Sequence, residues 1–149
     1  MNSIFDKAAA EELKQRMEKL APETPHLWGK MSAAQALAHC SVGMEVSLGD
    51  RLMRQVWLGK LLGKRAKASI LSGKPMGRNL PTDKAYVMTG ELDLEVERKK
   101  LAAFIDRFQT GGPEGCTRGP HSFFGQLTPK EWAELNYVHL DHHLRQFGV

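Results

Sequence analysis

Cysteine is scarce in this chain. Cys40 and Cys116 are the only two, they stand far apart, and they form no CxxC pair. A disulfide framework is therefore excluded, and a reduced, cytoplasmic protein is expected. Long apolar runs are also missing. No stretch approaches the roughly 18 residues of a membrane span. The N-terminal residues Met1–Lys7 show no basic region followed by an apolar core, so no signal peptide is expected. Acidic residues are absent from Arg51 to Thr82, where eight basic ones stand: Arg51, Arg54, Lys60, Lys64, Arg65, Lys67, Lys74 and Arg78. With a net charge of +4 overall, the rest of the chain sums to about −4. An anion-attracting arm and a solvated surface segment both fit this stretch. The second is favoured, because Trp57 is its only aromatic residue and nucleic-acid surfaces interleave several.

What is present is an ordinary globular composition, 42% hydrophobic and 26% charged over 149 residues. One domain spanning residues 1–149 is expected. A first helix is predicted from about Ser3 to Leu20, with Phe5, Leu13, Met17 and Leu20 on one face; Pro22 and Pro25 end it. Ser32 with Gln35 reads as a capping box that opens a second helix. That helix runs to Leu48 with Glu45 as its one charged residue, so it belongs inside the fold. Gly49-Asp50 is a break, and the basic segment behind it reads as one or two short amphipathic helices. Gly73, Pro75, Gly77 and Pro81 then predict a long irregular connection, with Ala85–Thr89 as a weak strand candidate. The next helix is predicted over Leu92–Gln109. Leu94, Leu101, Ile105 and Phe108 line its inner stripe, and Glu95, Glu97, Arg98, Lys99 and Lys100 lie mostly outside. Thr128, Pro129 and Glu131 open the last helix, which runs to about Gln146. Four main helices and an irregular insertion predict an all-α four-helix bundle, with the long connection as a crossover between the second and third.

The chemistry-bearing residues are histidines. Three of the six fall in His139-Leu140-Asp141-His142-His143. His139 and His143 are four apart, so a helix places their imidazoles one turn apart on one face, the spacing two ligands of one metal ion need. His142 points about 100° away from His143 and is the fallback ligand. His39 sits mid-helix among small apolar residues, where an unpaired imidazole is costly, and so is the natural third ligand. Asp141 and Gln146 are candidates to orient bound imidazoles. From spacing alone a three-histidine metal site competes with a buried polar network. Cys40 points about 100° away from His39 and reads as a small core residue. Trp28, Trp57 and Trp132 read as packing anchors. His121 is a loop candidate for proton transfer and equally a structural loop residue.

Ser32–Cys40, His121-Ser122-Phe123-Phe124-Gly125, Leu127-Thr128-Pro129 with Glu131-Trp132, and the terminal HLDHHLRQFG together resemble the DinB/YfiT-like superfamily. Within it, the resemblance is to a small branch known as a domain of unknown function. It covers about Trp28 to Phe147. It implies a four-helix bundle with a long crossover and a divalent ion on His39, His139 and His143. The branch usually carries proline where Ser122 stands. Three neutral imidazoles suit Zn²⁺, Ni²⁺, Fe²⁺ or Mn²⁺, with affinity favouring Ni²⁺ or Zn²⁺. Three protein ligands leave open positions for water or substrate. The function implied is a metal-dependent enzyme, by resemblance a thiol S-transferase acting on a small molecule with a low-molecular-weight thiol. A metal-dependent hydrolase and a non-catalytic metal- or ligand-binding bundle are the alternatives. A homodimer is an open arrangement; no membrane partner is expected, and nucleic acid is disfavoured.

Overall fold

The computed structural model describes residues 2–149. Five α-helices follow in order: α1 (Lys7–Met17), α2 (Ala33–Leu48), α3 (Trp57–Ile70), α4 (Leu94–Gly111) and α5 (Pro129–Gln146). Two short 3-10 turns, Lys84–Tyr86 and Gly112–Gly115, complete the regular structure. Among the described residues there is no strand, only an isolated bridge between His121 and Gly125. The chain is all-α.

The helix ends follow from local capping. Ser32 accepts from the Gln35 N–H and Gln35 returns a bond to the Ser32 N–H, so α2 starts where the capping box places it. Thr128 and Glu131 do the same for α5, with Pro129 in the first turn. Gly49 stops α2 in a left-handed conformation at φ 83°, a position that favours glycine. Two starts differ from expectation. α1 begins at Lys7 rather than Ser3, because Ser3 closes a separate turn with Asp6 and the Asp6 carboxylate caps the Ala8 N–H. α4 begins at Leu94 rather than Leu92, because Asp93 caps the Val96 N–H. It ends at Gly111, two residues beyond Gln109, where Gly112 turns to φ 55°.

α2 is the central element. Thirteen of its sixteen residues are buried, and it packs against both α4 and α5, while α1 lies on α4 and α5. Small residues at Ala33, Ala34, Ala36, Ala38 and Gly43 let these neighbours approach. Leu101, Ile105 and Phe108 of α4 and Trp132 and Leu140 of α5 are almost fully enclosed. Each such burial stabilises the fold by about 1.5–3 kcal/mol, and truncating Leu101 to alanine removes about 2–5 kcal/mol.

Three expectations about individual residues fail, each for a tertiary reason. Arg98 is buried rather than outside. Its guanidinium caps the end of α1, donating to the carbonyls of Met17 (3.1 Å) and Leu20 (2.6 Å), and it pairs with Glu95. Trp57 is no packing anchor, since 75% of it is exposed on the outer side of α3. Ala85–Thr89 forms no strand; Asp83 caps the 3-10 turn there, and Tyr86 is buried.

Candidate metal centre

α2 and α5 cross so that His39 meets the His139/His143 pair. Their three ring centroids form a nearly equilateral triangle, 4.6 to 4.9 Å on a side. The Nε2 atoms of His39 and His139 are 2.9 Å apart, and one ligand nitrogen from each of the three rings lies within 4.8 Å of the others. Gly43 sits at this crossing, where a Cβ would stand 3.2 Å from His139 Nδ1, a tight contact. The three histidines that the sequence singled out therefore come together, and they could hold a metal ion.

Outer hydrogen bonds orient two of the rings. The Tyr86 carbonyl lies 2.9 Å from His39 Nδ1 and can only accept, so Nδ1 carries the proton and the His39 Nε2 lone pair faces the centre. The second case takes one more step. Gln146 Nε2 donates to the Trp28 carbonyl at 2.7 Å, which identifies that atom as the amide nitrogen. Gln146 Oε1, 2.8 Å from His143 Nδ1, is then an acceptor, and His143 too turns an Nε2 lone pair inward. Gly29 makes room for this relay: at φ 79° it leaves open a place where a Cβ would sit 2.4 Å from Gln146 Nε2. A carbonyl or amide on the far nitrogen is the usual support of a metal-bound imidazole.

Burial keeps the cluster neutral. It lowers the pKa of His39, against a smaller upward pull from the Tyr86 carbonyl. Burial, then the neighbouring His39 and His143, hold His139 well below the ordinary imidazole value. Burial, then His39, bring His143 down to about 3. Neutral imidazole is the form that ligates. Cys40 contributes no ligand: it is buried with its thiol pKa pushed up by burial.

The remaining candidates separate. Gln146 supports a histidine as expected. Asp141 does not; it accepts from Arg16 at 2.8 Å and pairs with Arg145. His142 packs its ring on Trp28 and stands edge-on to His143, outside the three-nitrogen cluster. His121 closes its own loop. Its Nδ1 accepts the Phe123 and Phe124 N–H groups at 3.0 and 3.2 Å, and its ring stacks on Phe124. Trp132 is a buried anchor, and Trp28 is half-buried beneath the Arg78 guanidinium. A cavity of about 390 Å³ opens on another face of α5, lined in part by Trp28, Lys74, Arg78, Asp141, His142 and Arg145; none of the three clustered histidines lines it.

Sequence reasoning missed Tyr86, Trp28 and Gly29. The first two act through backbone carbonyls, which carry no residue-type signal, and Gly29 acts through the side chain it lacks.

Comparison with curated proteins and with solved structures gave no match. Residues 5–148 match the model of a family described as a protein of unknown function, DUF1569. That match takes in every helix and all three clustered histidines, and the chain belongs to the DUF1569 family.

Proposed function

We propose that this chain is a metal-dependent enzyme of the DinB/YfiT-like kind. In this reading α1, α2, α4 and α5 make a four-helix bundle, the stretch from Gly49 to Asp93 is its crossover, and His39, His139 and His143 are the ligands of one divalent ion. The observation that carries it is the pair of outer hydrogen bonds, from Tyr86 and Gln146, that turn two Nε2 lone pairs onto one point. Three imidazoles on one ion, each at about 2.0–2.1 Å, place their nitrogens about 3–3.5 Å apart. The His39–His139 pair, at 2.9 Å, is already near that spacing, and the others lie within 4.8 Å, so closure takes about an ångström of ring movement. The donor set suits Zn²⁺ or Ni²⁺ first and Fe²⁺ or Mn²⁺ next.

Such an ion supplies a Lewis acid that lowers the pKa of a coordinated water or thiol. The protein supplies the rest. Tyr86 and Gln146 hold the rings against rotation, and burial by α2 and α5 keeps them unprotonated. Thiol transfer rests on the resemblance of the sequence to superfamily relatives; hydrolysis uses the same centre.

A second reading has one observation in its favour. Two imidazole nitrogens at 2.9 Å are also a hydrogen-bonded pair, as in a metal-free polar network that only ties α2 to α5. Metal analysis of protein purified without a nickel column separates the two. About one equivalent of metal in the parent protein and little in His39→Ala is expected; equal content in both would sink the three-histidine site.

A further inference from the structure

Exposed large apolar side chains are concentrated in one place. Leu52 and Trp57 are 82% and 75% exposed, Leu61 is 72% and Leu62 46%, with Val56 and Leu58 also open to solvent. Leu27, Leu80, Val87 and Val96, the others of this kind, fall singly along the chain. Isolated exposed leucines are ordinary; a cluster on α3 and the stretch leading into it is informative.

The cluster is held outward by the way α3 docks. At 100° per residue, Trp57, Leu61 and Ala68 share one line along the helix, while Leu58 and Leu62 lie about 80° and 120° round from it, beyond Arg65. Gly59 lies opposite that line with Gly63 beside it, and these two glycines are the only buried residues of α3. A Cβ on either would come within 2.4 Å of the Phe123 carbonyl oxygen. Two glycines thus seat α3 on the His121–Gly125 loop and leave its leucine face no neighbour in this chain.

Charge surrounds the same face. Lys60 and Lys64 flank the Trp57–Leu61 line on one side, and Arg65 stands on the other. From Arg51 to Thr82 there is no carboxylate. Arg51 and Lys67 are paired with Glu45 and Glu131, and Arg78 covers Trp28. Arg54, Lys60, Lys64, Arg65 and Lys74 have no ion-pair partner among the described residues.

We infer that α3 is an interfacial helix that lays its Trp57–Leu61 face on an anionic lipid surface. Leucines enter the boundary between headgroups and acyl chains, the indole settles at the headgroup level, and the flanking lysines reach back to the lipid phosphates. Charge decides against the other occupants. A second copy offers no comparable apolar patch except its own α3, and pairing the two would bring Lys60, Lys64 and Arg65 of one helix, none of them ion-paired among the described residues, against the same three of the other. Nucleic acid answers the charge but not the leucines. No helix here is long and apolar enough to cross a membrane, and an interfacial helix does not need to be. α3 contributes nothing to the histidine centre, so the metal state does not enter the test.

The test is co-sedimentation of the full chain with vesicles of phosphatidylcholine, with and without phosphatidylglycerol, at low and high salt. Binding is expected to be about tenfold or more tighter with phosphatidylglycerol, to weaken with salt, and to bring a blue shift of emission that Trp57→Phe removes. Leu61→Glu and the double change Lys60→Glu/Lys64→Glu should each weaken binding by about tenfold or more, with circular dichroism unchanged because all three positions are exposed. No binding to phosphatidylglycerol vesicles, or binding indifferent to both lipid charge and Leu61→Glu, overturns the inference. So does a dimer in light scattering that Leu61→Glu dissolves, or salt-sensitive capture of a nucleic acid strand that Leu61→Glu leaves intact.

Discussion

Gln146→Ala is the most revealing single change. The Gln146 side chain is 3% exposed as part of a buried residue and makes two bonds at once, accepting from His143 Nδ1–H and donating to the Trp28 carbonyl. Removing it leaves one donor and one acceptor short of a partner. Each costs about 1–3 kcal/mol when buried, and water entering the vacated space recovers part of that, so a loss of about 2–4 kcal/mol in unfolding free energy is expected. The effect on metal is separate. Freed of its acceptor, the His143 ring turns and its tautomer is no longer set, and loss of such an outer partner weakens metal binding by about 10–100-fold. Chelator competition reads the affinity and urea unfolding of the metal-free protein reads the stability. Two companions make the result interpretable. Gln146→Glu keeps an acceptor for His143 and should keep most of the metal affinity while losing the Trp28 bond. Asp141→Asn breaks pairs with Arg16 and Arg145 that lie away from the rings, and should leave metal affinity unchanged. If Gln146→Ala binds metal as tightly as the parent, the relay from Gly29 through Gln146 to His143 does not orient a ligand.

Two further outcomes follow from other parts of the molecule. Arg98→Met keeps the aliphatic bulk but leaves the Met17 and Leu20 carbonyls without their cap; a loss of about 2–4 kcal/mol in urea unfolding with unchanged metal content is expected, and a loss near zero would mean that water caps α1 equally well. His121 is held down to about 4, chiefly by burial, against an ordinary 6.5, so protonation is disfavoured in the folded state. Its contribution is intact above pH ~6.5 and is lost as pH falls toward 4, by about 1.4 kcal/mol per unit and about 2 kcal/mol at pH 5. His121→Asn retains an acceptor for the loop N–H groups without titrating there. The parent should therefore lose about 2 kcal/mol more than this variant between pH 7 and 5, and parallel losses would refute the assignment.

Local chemistry was legible before the fold was known. The capping boxes at Ser32 and Thr128 placed the starts of α2 and α5, because a cap involves residues only three apart. The inner stripe of α4 and the enclosed character of α2 were readable from periodicity for the same reason. Where a residue's partner is distant, the reading failed. Arg98 looked like a surface arginine on a charged stretch, yet it is the cap of a helix some eighty residues earlier in the chain. Trp57 looked like an anchor by its type, yet Gly59 and Gly63 take the docked side of α3 and turn the indole outward.

The histidines divide along the same line. The four-residue step from His139 to His143 belongs to the chain itself, since helical geometry alone puts the two rings together. That His39 joins them, with its Nε2 2.9 Å from that of His139, is decided by the crossing of α2 over α5 at Gly43. Which nitrogen His39 and His143 turn inward is decided later still, by the Tyr86 carbonyl and by Gln146 held on Trp28. Gln146 was readable as a candidate from its place on the helix, but the Tyr86 and Trp28 carbonyls and the space left by Gly29 are not side chains, and no pattern of side-chain types along the chain reports them.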